Sequence, residues 1–138
     1  MASPDLNRFI EAQTASYATA LHEITAGAKR SHWMWFVLPQ LRGLGSSTMA
    51  QHYGIASLAE ARAYLDHPIL GARYLDCIDA LQRLEGRYPK AVFGAIDAMK
   101  LRSSLTLFEA PKPLPLFDAA LERWFDGERD KAMLHGLG

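Results

Sequence analysis

The sequence has a single cysteine, no long hydrophobic run and no excess of either charge, and each shortage excludes a class of protein. Cys77 alone cannot form an internal disulfide, which fits a reducing, cytoplasmic compartment. The longest apolar run, Trp33–Leu38, is six residues, whereas a membrane span needs roughly 18. Residues 1–5 lack the charged-then-apolar layout of a signal peptide. With 15 basic and 15 acidic residues the net charge is zero, which argues against nucleic acid as the main partner.

Motifs for metals, nucleotides and nucleophilic catalysis are also scarce. The five histidines show no ligand spacing and no His-Glu-x-x-His string, so no metal site is predicted. The loop Gly43–Ser47 lacks the third glycine of a dinucleotide fingerprint and the Lys-Ser ending of a P-loop, and a structural turn is the favoured interpretation. Because no residue meets the tests for a nucleophile with its base, catalytic residues, cofactor and enzymatic activity stay unassigned.

The composition is that of a globular protein that needs no disulfide or metal to fold. The chain has 138 residues, of which 49% are hydrophobic and 22% charged. Apolar residues recur at helical spacing between glycine and proline breaks, and no pair of alternating strands is evident. The sequence therefore predicts an all-α fold: a single compact domain, residues 1–138, of about seven short helices.

Local signals predict several helix boundaries. Ser3 and Pro4 are typical of a helix start, a break is expected near residues 14–16, and Gly27 is expected to end that helix. The pair Ser57 and Glu60 has the spacing of a capping box.

A later helix is expected to be capped by Asp97. Leu101, Leu105 and Phe108 would mark its buried face. Three prolines between residues 111 and 115 then predict a turn or linker.

One short segment combines cations with aromatic rings: Lys29, Arg30, His32, Trp33 and Trp35. As a ligand site, the cations would bind an anion, the imidazole would donate or shuttle a proton, and an indole would stack on a planar group. The structural alternative is that alternate aromatics enter the core while the cations lie in water. Both hold if one tryptophan is buried and the other lines a cleft.

A second group of polar residues shares one face of the Asp97 helix, because positions three and four apart are neighbours. Lys100 would therefore lie beside Ser103 and Ser104. Three interpretations are open: an anion site, a lysine-activated hydroxyl nucleophile, or a solvated face whose small hydroxyls bond to neighbouring helices. Lysine precedes serine here, the reverse of the Ser-x-x-Lys order.

The chain resembles a bacterial family, the domain of unknown function eighteen-ten. The matching stretches are Arg30–Phe36, Pro39–Gly45, Ala50–Ile55, Tyr64–Leu65, His67–Gly71 and Met99–Phe108. The resemblance implies a compact, mainly helical bacterial domain with no established activity. Some members are labelled calpastatin-like, but calpastatin is an extended, disordered inhibitor and this chain is patterned as a packed globule.

Two hypotheses follow. In the first, Lys29, Arg30, His32, Trp33 and Trp35 meet Lys100, Ser103 and Ser104 in a binding or enzymatic pocket for an anionic, nucleotide-like small molecule. Helical N-glycosidases that act on ADP-ribose derivatives offer an analogy without a matching motif. In the second, the chain is a non-catalytic interaction or structural module, and a homo-oligomer fits that hypothesis.

Overall fold

The computed structural model describes residues 6–43, 47–86 and 88–137, with only the backbone at 136 and 137. This part of the chain forms nine helices and no strand beyond an isolated parallel bridge between Leu41 and Ile55, which confirms the all-α fold. The count exceeds the expected seven in part because a helix as short as Met34–Val37, with four residues, shows no helical period in the sequence. The helices are α1 (Asn7–Ala26), α2 (Met34–Val37), α3 (Thr48–Tyr53), α4 (Leu58–Asp66), α5 (Leu70–Gln82), α6 (Pro89–Phe93), α7 (Ala95–Glu109), α8 (Pro115–Phe125) and α9 (Lys131–Leu137).

Helix α1 is continuous through residues 14–16, so the predicted break is wrong. The small polar residues that suggested it lie on the outer side of a helix whose other side packs against α5 and α2. Gly27 ends α1 as predicted, in a left-handed conformation with φ of 76° that glycine adopts without strain. The predicted start at Ser3 and Pro4 lies outside the described residues.

The capping box at α4 is confirmed with a small variation. The Ser57 hydroxyl accepts a hydrogen bond from the Glu60 amide at 3.2 Å. The Glu60 carboxylate accepts from the Ala56 amide at 3.0 Å, one residue before the cap.

The predicted cap at Asp97 is wrong. Helix α7 begins two residues earlier, because Gly94 at φ 82° reverses the chain directly after α6. Asp97 falls in the first turn of α7, where a carboxylate interacts favourably with the helix dipole.

Helix α7 is surrounded by α4, α6, α8 and α9. From Leu101 to Phe108 every residue except Arg102 is buried. This part of the helix therefore lacks the solvent-exposed polar face of an amphipathic helix. Its serine and threonine hydroxyls are therefore held away from water, where each requires a hydrogen-bond partner. Among the described residues no helix is long and apolar enough to cross a membrane.

Candidate functional site

The last turn of α1 places a buried carboxylate, Glu23, beside the cationic-aromatic segment. Its Oε1 accepts hydrogen bonds from the Arg30 amide (2.8 Å), the Ser31 amide (3.0 Å) and the Trp33 indole N–H (2.9 Å). Its Oε2 accepts from the Ser31 hydroxyl at 2.6 Å. One carboxylate thus fixes the path of the chain from Arg30 to Trp33 and holds the Trp33 ring in the core, where it is 1% exposed.

These bonds decide the charge state of Glu23. Burial alone would raise the pKa of the carboxyl, but the donors from Ser31, Arg30 and Trp33 outweigh it and lower the pKa to about 2. Glu23 is therefore ionised at neutral pH, and its charge is fully engaged in holding the segment.

The two motifs singled out in the sequence meet through Asp97. The Lys29 ammonium lies 2.8 Å from Asp97 Oδ2 and donates to the Ser31 carbonyl at 2.6 Å. The Lys100 ammonium lies 3.5 Å from Asp97 Oδ1 and 3.6 Å from the centroid of the Trp35 ring. Lys100 is thus held by a carboxylate and by the face of an indole, a cation–π contact.

A cleft of about 450 Å³ opens beside this contact, within the range of small-molecule sites. Its walls are Trp35 of α2, the segment after α2, the end of α3, one face of α7, and the start of α9. The lining residues are Trp35, Gln40, Leu41, Ala50, Tyr53, Gly54, Ile96, Met99, Lys100, Arg102, Ser103, Asp130 and Ala132.

Pairing between two extended segments positions the wall that contains Gln40. The Ile55 amide donates to the Gln40 carbonyl, and the Arg42 amide donates to the Ile55 carbonyl, each at 2.8 Å. Gly54 permits this approach, since a Cβ there would lie 2.6 Å from Arg42 Cα. Residues 44–46 of the predicted glycine-serine loop lie outside the described residues.

Three polar atoms of the cleft residues are buried without a hydrogen-bond partner in the part of the chain that the structure describes. They are Gln40 Nε2, Arg102 Nε and Ser103 Oγ. One further such atom in this part of the chain, the Tyr17 hydroxyl oxygen, belongs to a residue outside the cleft. Among the described residues, Arg102 makes one ion pair, a long one of 3.9 Å from its Nη1 to the exposed Glu128. Such atoms are rare in folded proteins, and three around one cleft mark a place where a ligand would supply partners.

Four of the eight predicted site residues gather here. Trp35, Lys100 and Ser103 line the cleft. Lys29 lies behind it, linked to Lys100 through Asp97.

The other four lie elsewhere: Arg30, His32, Trp33 and Ser104. Arg30 and His32 are exposed, and His32 lines a separate cavity of about 120 Å³ with Trp33. Ser104 is in the core, where its hydroxyl is 2.9 Å from the Tyr74 hydroxyl. Adjacent residues therefore divide between the two settings, Ser103 at the cleft and Ser104 in the core.

Sequence reasoning missed Glu23, Gln40, Asp97 as a bridge, and Arg102. Two of them gave a usable signal: Glu23 lies on the apolar side of α1 beside Ala20 and Ile24, and Arg102 is a lone cation in an otherwise buried run. A charged residue on a buried face has to be paired, or else to meet a ligand. Gln40 gave no such signal, because it follows α2 in an irregular segment.

Metal binding has no support among the described residues, where no three His, Cys, Asp or Glu side chains form a cluster able to hold an ion. Cys77 is buried, and burial raises the pKa of its thiol to about 12. The thiol is therefore protonated and behaves as a small core side chain.

Comparison with known proteins gave two matches, and a search of curated proteins found none of significance. A family model described as "Protein of unknown function (DUF1810)" matches residues 3–137. The crystal structure of the conserved hypothetical protein Rv1873 from Mycobacterium tuberculosis is similar over its whole fold. It shares 46% sequence identity with a TM-score of 0.94, and the alignment covers 96% of each chain.

Proposed function

We propose, from the premise that this chain belongs to the DUF1810 family of proteins of unknown function, that it is a helical small-molecule-binding protein. Its ligand would be anionic and nucleotide-like, held in the cleft between Trp35 and the Lys100 face of α7. The observation that carries the proposal is that three buried polar atoms around that cleft have no partner among the residues that the structure describes.

The charge and chemistry of these groups support an anion. Gln40 Nε2 and Arg102 Nε are donors only, and the Ser103 hydroxyl can donate as well. The ammonium of Lys100 lies at the Trp35 ring and lines the same cleft. A carboxylate or phosphate offers several acceptors to such an arrangement, and charge-assisted hydrogen bonds are the stronger ones.

Trp35 supports a planar group on the ligand. Its indole is half-buried and forms part of the cleft wall. Stacking of a base on an aromatic ring is worth about 1–3 kcal/mol. The proposal is for binding, because the Ser103 hydroxyl has no base within hydrogen-bonding distance in the described part of the chain.

One observation favours the second candidate, a non-catalytic interaction module. Ile96 and Met99, one turn apart on α7, are 72% and 63% exposed, and Tyr88 before α6 is 77% exposed. Exposed apolar side chains that adjoin one another on a helix face, as the spacing of Ile96 and Met99 provides, are found at protein interfaces. A monomeric protein that binds no partner through these residues would exclude this candidate.

A thermal-shift screen against inorganic phosphate, AMP, NAD and ADP-ribose tests the first candidate. A ligand at one hundred times its dissociation constant adds about 2.7 kcal/mol to the free energy of unfolding, which is readily measured for a domain of this size. We expect a saturable shift with at least one anion, and the loss of that shift in Arg102→Met and Ser103→Ala.

The control is Arg62→Met. Arg62 also pairs with one carboxylate, Asp66 at 3.1 Å, but it lies outside the cleft. If the control loses the shift as well, or if neither these anions nor a carboxylate such as phenylacetate gives one, the cleft is not the anion site that we propose.

We also infer that residues 1–138 act as one domain. Core side chains come from helices along the whole chain, from Phe9 of α1 to Met133 of α9, and this supports a single hydrophobic core. The buried thiol of Cys77 fits the expected cytoplasmic setting in a bacterium, which stays a prediction.

A further inference from the structure

One face of α7 runs along the cleft, and its exposure falls steadily along the helix. Ile96 and Met99 are 72% and 63% exposed. The Lys100 side chain is 20% exposed, and Ser103 is 2% exposed. Met99 and Lys100 each lie three or four positions from both Ile96 and Ser103, so the four side chains share one broad face. The cleft therefore has an outer end at Ile96 and an inner end at Ser103.

The polarity of this face changes from its outer end to its inner end. Large apolar side chains stand at the outer end in water, while the buried Ser103 hydroxyl is at the inner end. Arg102 and Gln40 line the same cleft, and their Nε and Nε2 atoms, like Ser103 Oγ, have no partner among the described residues. Ser103 lies seven positions after Ile96, so the two are about 10 Å apart along the helix axis at 1.5 Å per residue. A ligand that matches both ends is polar at the end that enters first and apolar at the end that remains near the surface.

The charges around the cleft limit the charge of the ligand. Asp97 shares its carboxylate between Lys29 and Lys100, and Glu128 lies 3.9 Å from Arg102. Asp130 also lines the cleft, although its Oδ1 accepts from the Met133 amide. The three cations and three carboxylates named here balance one another, so the charge around these groups suits one added negative charge better than a polyphosphate.

We propose that the ligand is an amphiphilic monoanion: a carboxylate-type head on an aromatic or aliphatic body. The head binds Ser103, Arg102 and Gln40, and the body lies against Trp35, Met99 and Ile96. This inference rests on the proposed function, since it concerns the anion site of the same cleft, and it names a carboxylate in place of a nucleotide as the ligand class. It accounts for the exposed apolar pair without a protein partner, because the body of the ligand covers it.

Isothermal titration of the full chain with small carboxylates tests the inference. The probes are acetate, phenylacetate and 1-naphthylacetate, with glucuronate as a polar body of similar size and phenyl phosphate as a head of higher charge. We expect affinity to rise at least about tenfold from acetate to phenylacetate and again to naphthylacetate, since each ring buries further apolar area. Glucuronate should bind no better than acetate, and phenyl phosphate no better than phenylacetate.

Substitutions separate the two ends of the cleft. Ile96→Gln and Met99→Gln should reduce the affinity for phenylacetate towards that for acetate and leave acetate unchanged. Ser103→Ala should weaken every carboxylate by a similar factor. The control is Ile69→Gln, since Ile69 is also an exposed aliphatic side chain, at 44%, and lies outside the cleft. It should change nothing.

The other outcomes are distinguishable. Equal affinity for acetate, phenylacetate and glucuronate would contradict an amphiphilic ligand but remain consistent with an anion site. Binding of AMP or NAD without binding of carboxylates would also contradict the amphiphilic carboxylate and remain consistent with an anion site. If neither carboxylates nor phosphates bind, the proposed function itself fails. The protein could instead form a dimer that dissociates on Ile96→Gln and bind no carboxylate. That result would show that Ile96 and Met99 contact a second copy of the chain.

Discussion

Trp33 and Trp35 are two residues apart, yet they belong to two polar regions of opposite character. Around Trp33, the Glu23 carboxylate accepts four hydrogen bonds, and the indole N–H is one of the donors. Around Trp35, Gln40, Arg102 and Ser103 each have a buried polar atom with no partner in the described part of the chain. One region has its hydrogen bonds complete, and the other does not.

The difference separates stability from binding. A buried polar group that is fully bonded stabilises the fold modestly, whereas an unpaired one costs roughly 1–3 kcal/mol. The Glu23 region therefore raises the free energy of unfolding. The unpaired atoms of the cleft lower the free energy of unfolding, and an anion with matching acceptors would offset that loss on binding. The two regions should respond differently to substitution, and three measurements test this.

The largest difference is expected between the two tryptophans. Trp33→Ala should lower the free energy of unfolding by about 3–5 kcal/mol, because it removes a fully buried ring and leaves Glu23 with one donor fewer. Trp35→Ala should cost only about 1 kcal/mol, since that ring is half-buried and faces the cleft. Urea denaturation at equilibrium measures both, with Trp33→Phe as a milder variant should Trp33→Ala not fold. Similar losses for the two alanine variants would contradict the comparison.

The next effect is the pH dependence from Glu23. Its pKa in the folded protein, about 2, is below the ordinary value of 4.5, so its stabilisation is present above pH 4.5 and is lost as the pH falls through 2. The contribution at neutral pH is about 3 kcal/mol, at 1.36 kcal/mol per pKa unit. Glu23→Gln should therefore be less stable than the wild type at pH 7, and the difference should shrink as the pH is lowered from 5 towards 2.

Glu11→Gln is the matched control for that series, because Glu11 is an exposed glutamate of the same helix. Its stability should follow that of the wild type closely across the pH range. A constant difference between Glu23→Gln and the wild type from pH 7 to pH 2 would show that the Glu23 charge is not what stabilises the segment.

The smallest effect should come from the neighbouring serines of α7, and its sign is the informative part. Ser104→Ala should cost about 1 kcal/mol or somewhat more, because it leaves the buried Tyr74 hydroxyl without its partner at 2.9 Å. Ser103→Ala should be neutral or slightly stabilising, since the hydroxyl that it removes has no partner among the described residues. The same denaturation experiment compares them. A loss for Ser103→Ala that equals the loss for Ser104→Ala would mean that the Ser103 hydroxyl is paired.

Local signals predicted much of the fold. The capping pair Ser57 and Glu60 and the stop at Gly27 were predicted correctly, because a cap or a turn depends on residues within a few positions of one another. The break near residues 14–16 and the cap at Asp97 were wrong. Packing against α5 keeps α1 continuous, and Gly94 sets the start of α7. In both places contacts or backbone geometry overrode the local preference.

The candidate site was predicted only in part. The motifs identified the segment around Lys29 and the face of Lys100, which meet through Asp97, and three of the predicted residues line the cleft. The sequence left open which tryptophan would be buried. It named Ser103 and Ser104 together, although they lie in different settings.

By itself, the sequence determined the helical class, the boundaries at Gly27 and Ser57, and the family, because helical period, caps and motifs depend on residues close together in the chain. Only the tertiary structure decided which side of each helix faces the cleft and which polar atoms lack partners. Gln40 and Arg102 are brought together by segments far apart in the chain. The reason is that burial of a side chain depends on the phase of its helix relative to its neighbours, which long-range packing sets.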